Sequence, residues 1–131
     1  MNFKSQLASL TLVVGASFAQ AQPTNPAPTM DAQVDISSVF VPSGFGDNEP
    51  YAVVSGLFPN SCYRWKSSQV THVSPFIHEV RATATVRLGM CLMVIVPFTE
   101  EASLGKLEAG KHTLRFMGRD GTYIEKSVTV D

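Results

Sequence analysis

Residues 77–87 read IHEVRATATVR. On an extended chain His78, Val80, Ala82, Ala84 and Val86 share one face, and Ile77, Glu79, Arg81, Thr83, Thr85 and Arg87 share the other. Side chains alternate with period two in a strand and with period 3.6 in a helix, so this run predicts a strand with one buried and one mostly solvated side. The same period holds outward in both directions. Strands are predicted over 34–41, 51–58 and 62–66, with 70–73 a continuation or a short extra strand, and then over 90–98, 112–117 and 122–130. Turn-forming residues separate them: a glycine-rich loop at 42–50, Pro59-Asn60, Leu88-Gly89, and the hairpin connection Gly118-Arg119-Asp120-Gly121. Residues 99–110 read as a long loop with a short helical turn near 100–102. About seven strands without an amphipathic helix predict an all-β, antiparallel sandwich, with an immunoglobulin-like architecture first and a small β-barrel as the alternative.

The N-terminus has a different character. MNFKSQLASLTLVVGASFAQAQ combines an early lysine, a short apolar run from Leu7 to Phe18, and Ala19-Gln20-Ala21. This is the layout of a secretory signal peptide cleaved after Ala21. Its apolar run is too short for a lasting membrane anchor, and no later segment reaches the length of a span. Residues 22–33, QPTNPAPTMDAQ, hold three prolines and few apolar groups. They read as a flexible lead-in, with the sandwich occupying 34–131. The mature product is expected to be exported, to the periplasm or the medium. Loss of Lys4 takes the formal charge from −1 to −2, a balance that argues against a nucleic-acid partner, which requires a basic surface.

Export bears on the two cysteines, Cys62 and Cys91. A pair in an oxidising compartment is expected to form a bridge; a nucleophile or a metal ligand is the alternative. Trp65 follows Cys62 by three residues instead of lying midway between the cysteines, so the bridge is expected to be placed differently from that of an antibody domain, near the start of the third predicted strand.

Three blocks, VPSGFGDNEPYAVVSGLFPNSCYRW, MCLMVIVPF and LGKLEAGKHTL, together resemble a family of small exported bacterial proteins over roughly residues 41–114. The shared pattern is a Val-Pro-x-Gly-Phe opening with an acidic loop, a Pro-Asn-Ser/Thr-Cys-Tyr block, and a second cysteine before Val-Pro-Phe. The resemblance implies an immunoglobulin-like sandwich and a Cys62–Cys91 bridge. It carries no catalytic residue across. Gly46 stands where a further acid is expected, and His112 where an aromatic residue is usual.

Candidate sites follow from residue type. Cys91, His112 and Met117 superficially suit a copper centre, but they are not packed onto one loop, and a bridged Cys91 cannot ligate. His72 and His78 form a two-imidazole pair without a third ligand, so they read as surface or edge histidines and no metal or cofactor is assigned. Asp47, Asn48 and Glu49 form a possible loop site, with a polar turn the plainer reading. No Gly-x-Ser-x-Gly elbow is present, and no catalytic residues are assigned. The anomaly is Met90-Cys91-Leu92-Met93-Val94-Ile95-Val96, apolar at every position. If Cys91 turns inward, so do Met93 and Ile95, while Met90, Leu92, Val94, Val96 and Phe98 face outward, either as a contact surface or covered by the lead-in, the 99–110 loop or the closure of a barrel; Phe45 between glycines is a second apolar tip. The expectation is a non-enzymatic exported protein acting by contact with a partner or with itself. The alternative is an enzyme inhibitor or a small-ligand or metal carrier of the bacterial envelope.

Overall fold

Residues 77–87 do form a strand, and most of the larger sheet is built around it. The structure, a computed structural model, describes residues 13–15, 27–43 and 49–131. Its elements in chain order are β1 (Thr29–Val34), β2 (Ser38–Phe40), β3 (Tyr51–Phe58), β4 (Tyr63–Ser74), β5 (Ile77–Arg87), β6 (Val96–Ser103), β7 (Gly110–Met117) and β8 (Tyr123–Val130), with no helix among the described residues. The predicted signal peptide lies outside the described residues apart from 13–15, and the lead-in is described from residue 27.

Five strands form one sheet and three the other. One edge of β5 pairs with β4 along a long hairpin. Its other edge is shared end to end. β1 runs antiparallel beside residues 82–87, and β7 runs parallel beside residues 77–80. β8 then closes on β7 through the Gly118–Gly121 turn, where Gly118 N–H donates to the Thr122 carbonyl at 2.7 Å. The second sheet has the order β2-β3-β6. No ladder joins the two sheets among the described residues, so the architecture is a sandwich and not a barrel. Every pairing is antiparallel except β5 with β7.

The inner faces meet in a core that includes Val54, Phe58, Val80, Ala82, Ala84, Phe98, Leu104, Leu114 and Phe116. Alternation is the cause: β5 buries every second residue from His78 to Ala84 and turns its threonines and charges outward. Phe58 and Phe98 stack at 4.4 Å between ring centroids. Their neighbour Gly56 has no room for a methyl group, since a Cβ there would lie 2.6 Å from the Asp35 carbonyl oxygen and 2.6 Å from Phe98 Cζ. Cys62 and Cys91 are bonded, with Cα atoms 5.4 Å apart. The bridge fastens the residue before β4 to the crossover between the sheets.

Several boundaries differ from the sequence reading. The strand expected over 34–41 is split, with β1 ending at Val34 in the larger sheet and β2 running only over Ser38–Phe40 in the smaller. The lead-in assigned to 22–33 already contains β1, because Ala32 and Val34 meet Ala84 and Ala82 across the ladder. The strand expected over 90–98 starts only at Val96, since residues 90–95 carry the chain from one sheet to the other. The loop and helical turn expected after Phe98 are instead strand through Ser103, with Glu100 and Glu101 paired against Val54 and Val53 on the edge of the smaller sheet.

Candidate functional site

The crossover 88–95 is the most exposed apolar segment among the described residues of the folded domain. Leu92 is 70% exposed, Met93 84% and Ile95 69%. Met90 and Val94 are also exposed. No ladder holds this backbone; local ties do. Cys91 is bonded to Cys62. Leu92 N–H donates to Ser61 Oγ at 2.7 Å and its carbonyl accepts from Ser61 N–H at 3.0 Å. Val94 N–H donates back to the Leu92 carbonyl at 2.9 Å, which bends the chain at Met93. Beyond the loop, exposed Leu57 lies opposite Pro97 and continues the apolar surface onto the outside of the smaller sheet.

This arrangement corrects the expected two-faced stripe. Met93 and Ile95 do not follow Cys91 inward; they face solvent beside Leu92 and Val94. Val96, expected on the same surface, is half-buried and packs on the core at the start of β6, and Phe98, also expected to face outward, is buried in the core. The reason is that alternation applies to a paired strand, and this segment is not one. Phe45, Asp47 and Asn48 lie outside the described residues; Glu49 is exposed beside buried Pro50.

A second cluster lies at the end of the larger sheet. The chain has three histidines, and the fold joins all of them in a row across three strands. His72 on β4 stands opposite His78 on β5. His112 on β7 enters the same face two residues before Leu114, the parallel partner of His78. His72 Nδ1 lies 2.7 Å from His78 Nδ1, and His78 Nε2 lies 2.8 Å from His112 Nδ1. His112 Nε2 donates to the Glu108 carbonyl at 2.6 Å. His78 is buried, contrary to the reading of His72 and His78 as surface or edge histidines, and so is His112, while His72 is exposed on β4. Phe76 covers His112 at 5.0 Å between ring centroids. His72, Ser74, Pro75, His78, Lys106 and Glu108 border an open cleft of ≈ 400 Å³.

The direction of the hydrogen bonds follows from the last acceptor. A carbonyl only accepts, so His112 Nε2 carries a hydrogen and, in the neutral ring, Nδ1 is a lone pair. His78 Nε2 must then donate to it, which leaves His78 Nδ1 as a lone pair facing His72. Burial lowers the His78 pKa below the ordinary imidazole value, and the adjacent His72 and then His112 lower it further. The row is thus a directed chain of hydrogen bonds that runs from His72 Nδ1 through His78 and His112 to the Glu108 carbonyl. Sequence reasoning could bring His72 and His78 together through the Ser74-Pro75 turn. It missed His112, whose approach depends on a parallel pairing 34 residues away.

The family model described as the ORF11 beta-sandwich domain matches residues 52–130, from within β3 to the end of β8, and the chain belongs to that family. No curated protein and no solved structure matches it.

Proposed function

We propose that this member of the ORF11 beta-sandwich domain family is an exported, non-enzymatic bacterial protein that acts by contact, seating loop 88–95 in a concave apolar surface of another protein or of a second copy. The observation that carries the reading is the exposure of Met90, Leu92, Met93, Val94 and Ile95 on a backbone held by a disulfide. Soluble monomers seldom leave so continuous an apolar surface to water unless it is a contact site. Pinning the loop before binding reduces the ordering cost that association must overcome. Fully burying each such side chain contributes about 1.5–3 kcal/mol before that cost is subtracted. Methionines suit this role because their unbranched thioethers adapt to an irregular pocket. Export rests on the signal-peptide layout of residues 1–21 and is consistent with a bridged cysteine pair.

The same loop favours a second reading, an inhibitor that enters an enzyme's cleft. A bridge immediately before Leu92 and a tight bend at Met93 make a projecting, stiffened tip. The tip would then be Met93.

The test is sedimentation of the mature protein over a range of concentrations, alone and with material it retains from its native compartment. The double variant Met93→Asp, Ile95→Asp is run beside it; both positions face solvent, so folding is expected to be unchanged. Wild type should form a larger species that the variant does not. Two monomers retaining the same companions would overturn the reading. Inhibition of a protease by wild type but not by the variant would select the second one.

A further inference from the structure

We propose that His72 and His78 form a binding site for one borderline divalent transition-metal ion, Cu²⁺ or Zn²⁺, with His112 as a positioning residue behind them. The chain from the Glu108 carbonyl through His112 fixes the tautomer of His78, so that its Nδ1 carries no hydrogen of its own and accepts from His72 at the border of the cleft. This is how metal-binding imidazoles are commonly supported: the ring nitrogen that does not ligate donates to an acceptor, which sets the ring's orientation and raises its basicity.

Geometry supplies the second ligand. His72 Nδ1 lies 2.7 Å from His78 Nδ1, with the ring planes at 87°. An ion about 2.0–2.1 Å from each nitrogen requires a nitrogen separation of about 2.9–3.4 Å for angles between square and tetrahedral. With His78 held by His112, its lone pair aims at His72 Nδ1, so His72 Nδ1 must swing aside by about 2 Å to admit the ion and bind it at such an angle. His72 can supply that movement, because it is exposed and the ladder slips at His72/Ser74 beside it. On binding, the ion takes the place of the hydrogen shared by the two Nδ1 atoms. That hydrogen passes through solvent to His72 Nε2, so both rings stay neutral and no net proton is released.

His112 cannot be a third ligand to the same ion. His78 meets it through Nε2 and meets His72 through Nδ1, on opposite sides of one ring. Among the described residues no group of three His, Cys, Asp or Glu side chains is disposed around one point. The remaining positions would be taken by water in the cleft, giving an open and exchangeable site. Imidazole donors suit copper and zinc, and the ordinary affinity order places Cu²⁺ ahead of Zn²⁺.

The experiment is isothermal titration of the chelator-stripped mature protein with CuSO₄ and with ZnSO₄, together with electron paramagnetic resonance of the Cu²⁺ form. Wild type should bind one ion per chain in the micromolar range, Cu²⁺ more tightly, with two nitrogen donors in the spectrum. His72→Ala, at an exposed position that leaves the fold intact, should abolish binding in that range. His112→Phe should keep the one-to-one stoichiometry while lowering affinity roughly 10–100-fold. If His112→Phe does not fold, His112→Gln replaces it, and the His72→Ala comparison alone still decides the proposal. No binding tighter than millimolar by wild type, or equal binding by wild type and His72→Ala, would overturn it.

Discussion

His78 is 2% exposed and stands at the end of the apolar face of β5, in line with Val80, Ala82 and Ala84. A buried polar group is tolerated when it is hydrogen-bonded, and both of its nitrogens are. Its protonated form is not tolerated equally. A second hydrogen on the ring would point at the hydrogen of His72 Nδ1, and burial opposes the charge. The groups around it are His72 from β4 and His112 from β7, with Lys106 and Glu108 bordering the cleft. Because its folded pKa is lowered, the unfolded chain binds more protons than the folded one below about 6.5, the ordinary histidine value. The stabilisation is therefore present above that pH and lost as the pH falls beneath it. Urea denaturation of chelator-treated protein should show a midpoint that declines from pH 6.5 to 5, before most carboxylates protonate. In His78→Gln the same decline should be shallower; an equal decline would place the sensitivity elsewhere.

At the scale of elements, the crossover 88–95 depends on the bridge more than any strand does. The cysteines are 29 residues apart, and closing a loop of that length in the unfolded chain corresponds to about 3–4 kcal/mol of stabilisation. The double variant Cys62→Ala, Cys91→Ser should lose about that much in chemical denaturation. It should also release the Leu92 amide from Ser61, visible as faster hydrogen exchange at Leu92 than at β5 amides; unchanged exchange would show that Ser61 alone holds the loop. Much of this level was legible beforehand. The alternation at 77–87 is a local property and survives in β5, as do the extents of β3 and the β7–β8 hairpin. The elements that went unread are those whose state is set by distant partners. Thr29–Val34 resembles a proline-rich lead-in until β5 offers it an edge, and Glu100-Glu101 suggests a loop until β3 pairs with it. Residues 90–95 fail for the opposite reason: a continuous apolar run predicts a strand, yet the chain needs this segment to cross between sheets.

At the scale of the molecule, the two candidate features occupy separate places on one frame. The histidine row closes one end of the five-stranded sheet, while the apolar loop bridges the two sheets beside the disulfide. The outer face of the larger sheet carries a different chemistry, with Thr83 bonded to Gln69 and Arg81 paired with Glu79. That polar face suits solvent, and the loop does not. Among the described residues no helix is long and apolar enough to cross a membrane. Contact by the loop is thus the central claim. Its most direct test is a photo-crosslinking amino acid placed at Met93, with a second construction bearing it at Thr83, each irradiated in the protein's native compartment. The account predicts a discrete protein adduct from position 93 that position 83 does not give. Identical adducts from both positions, or none from position 93, would contradict it.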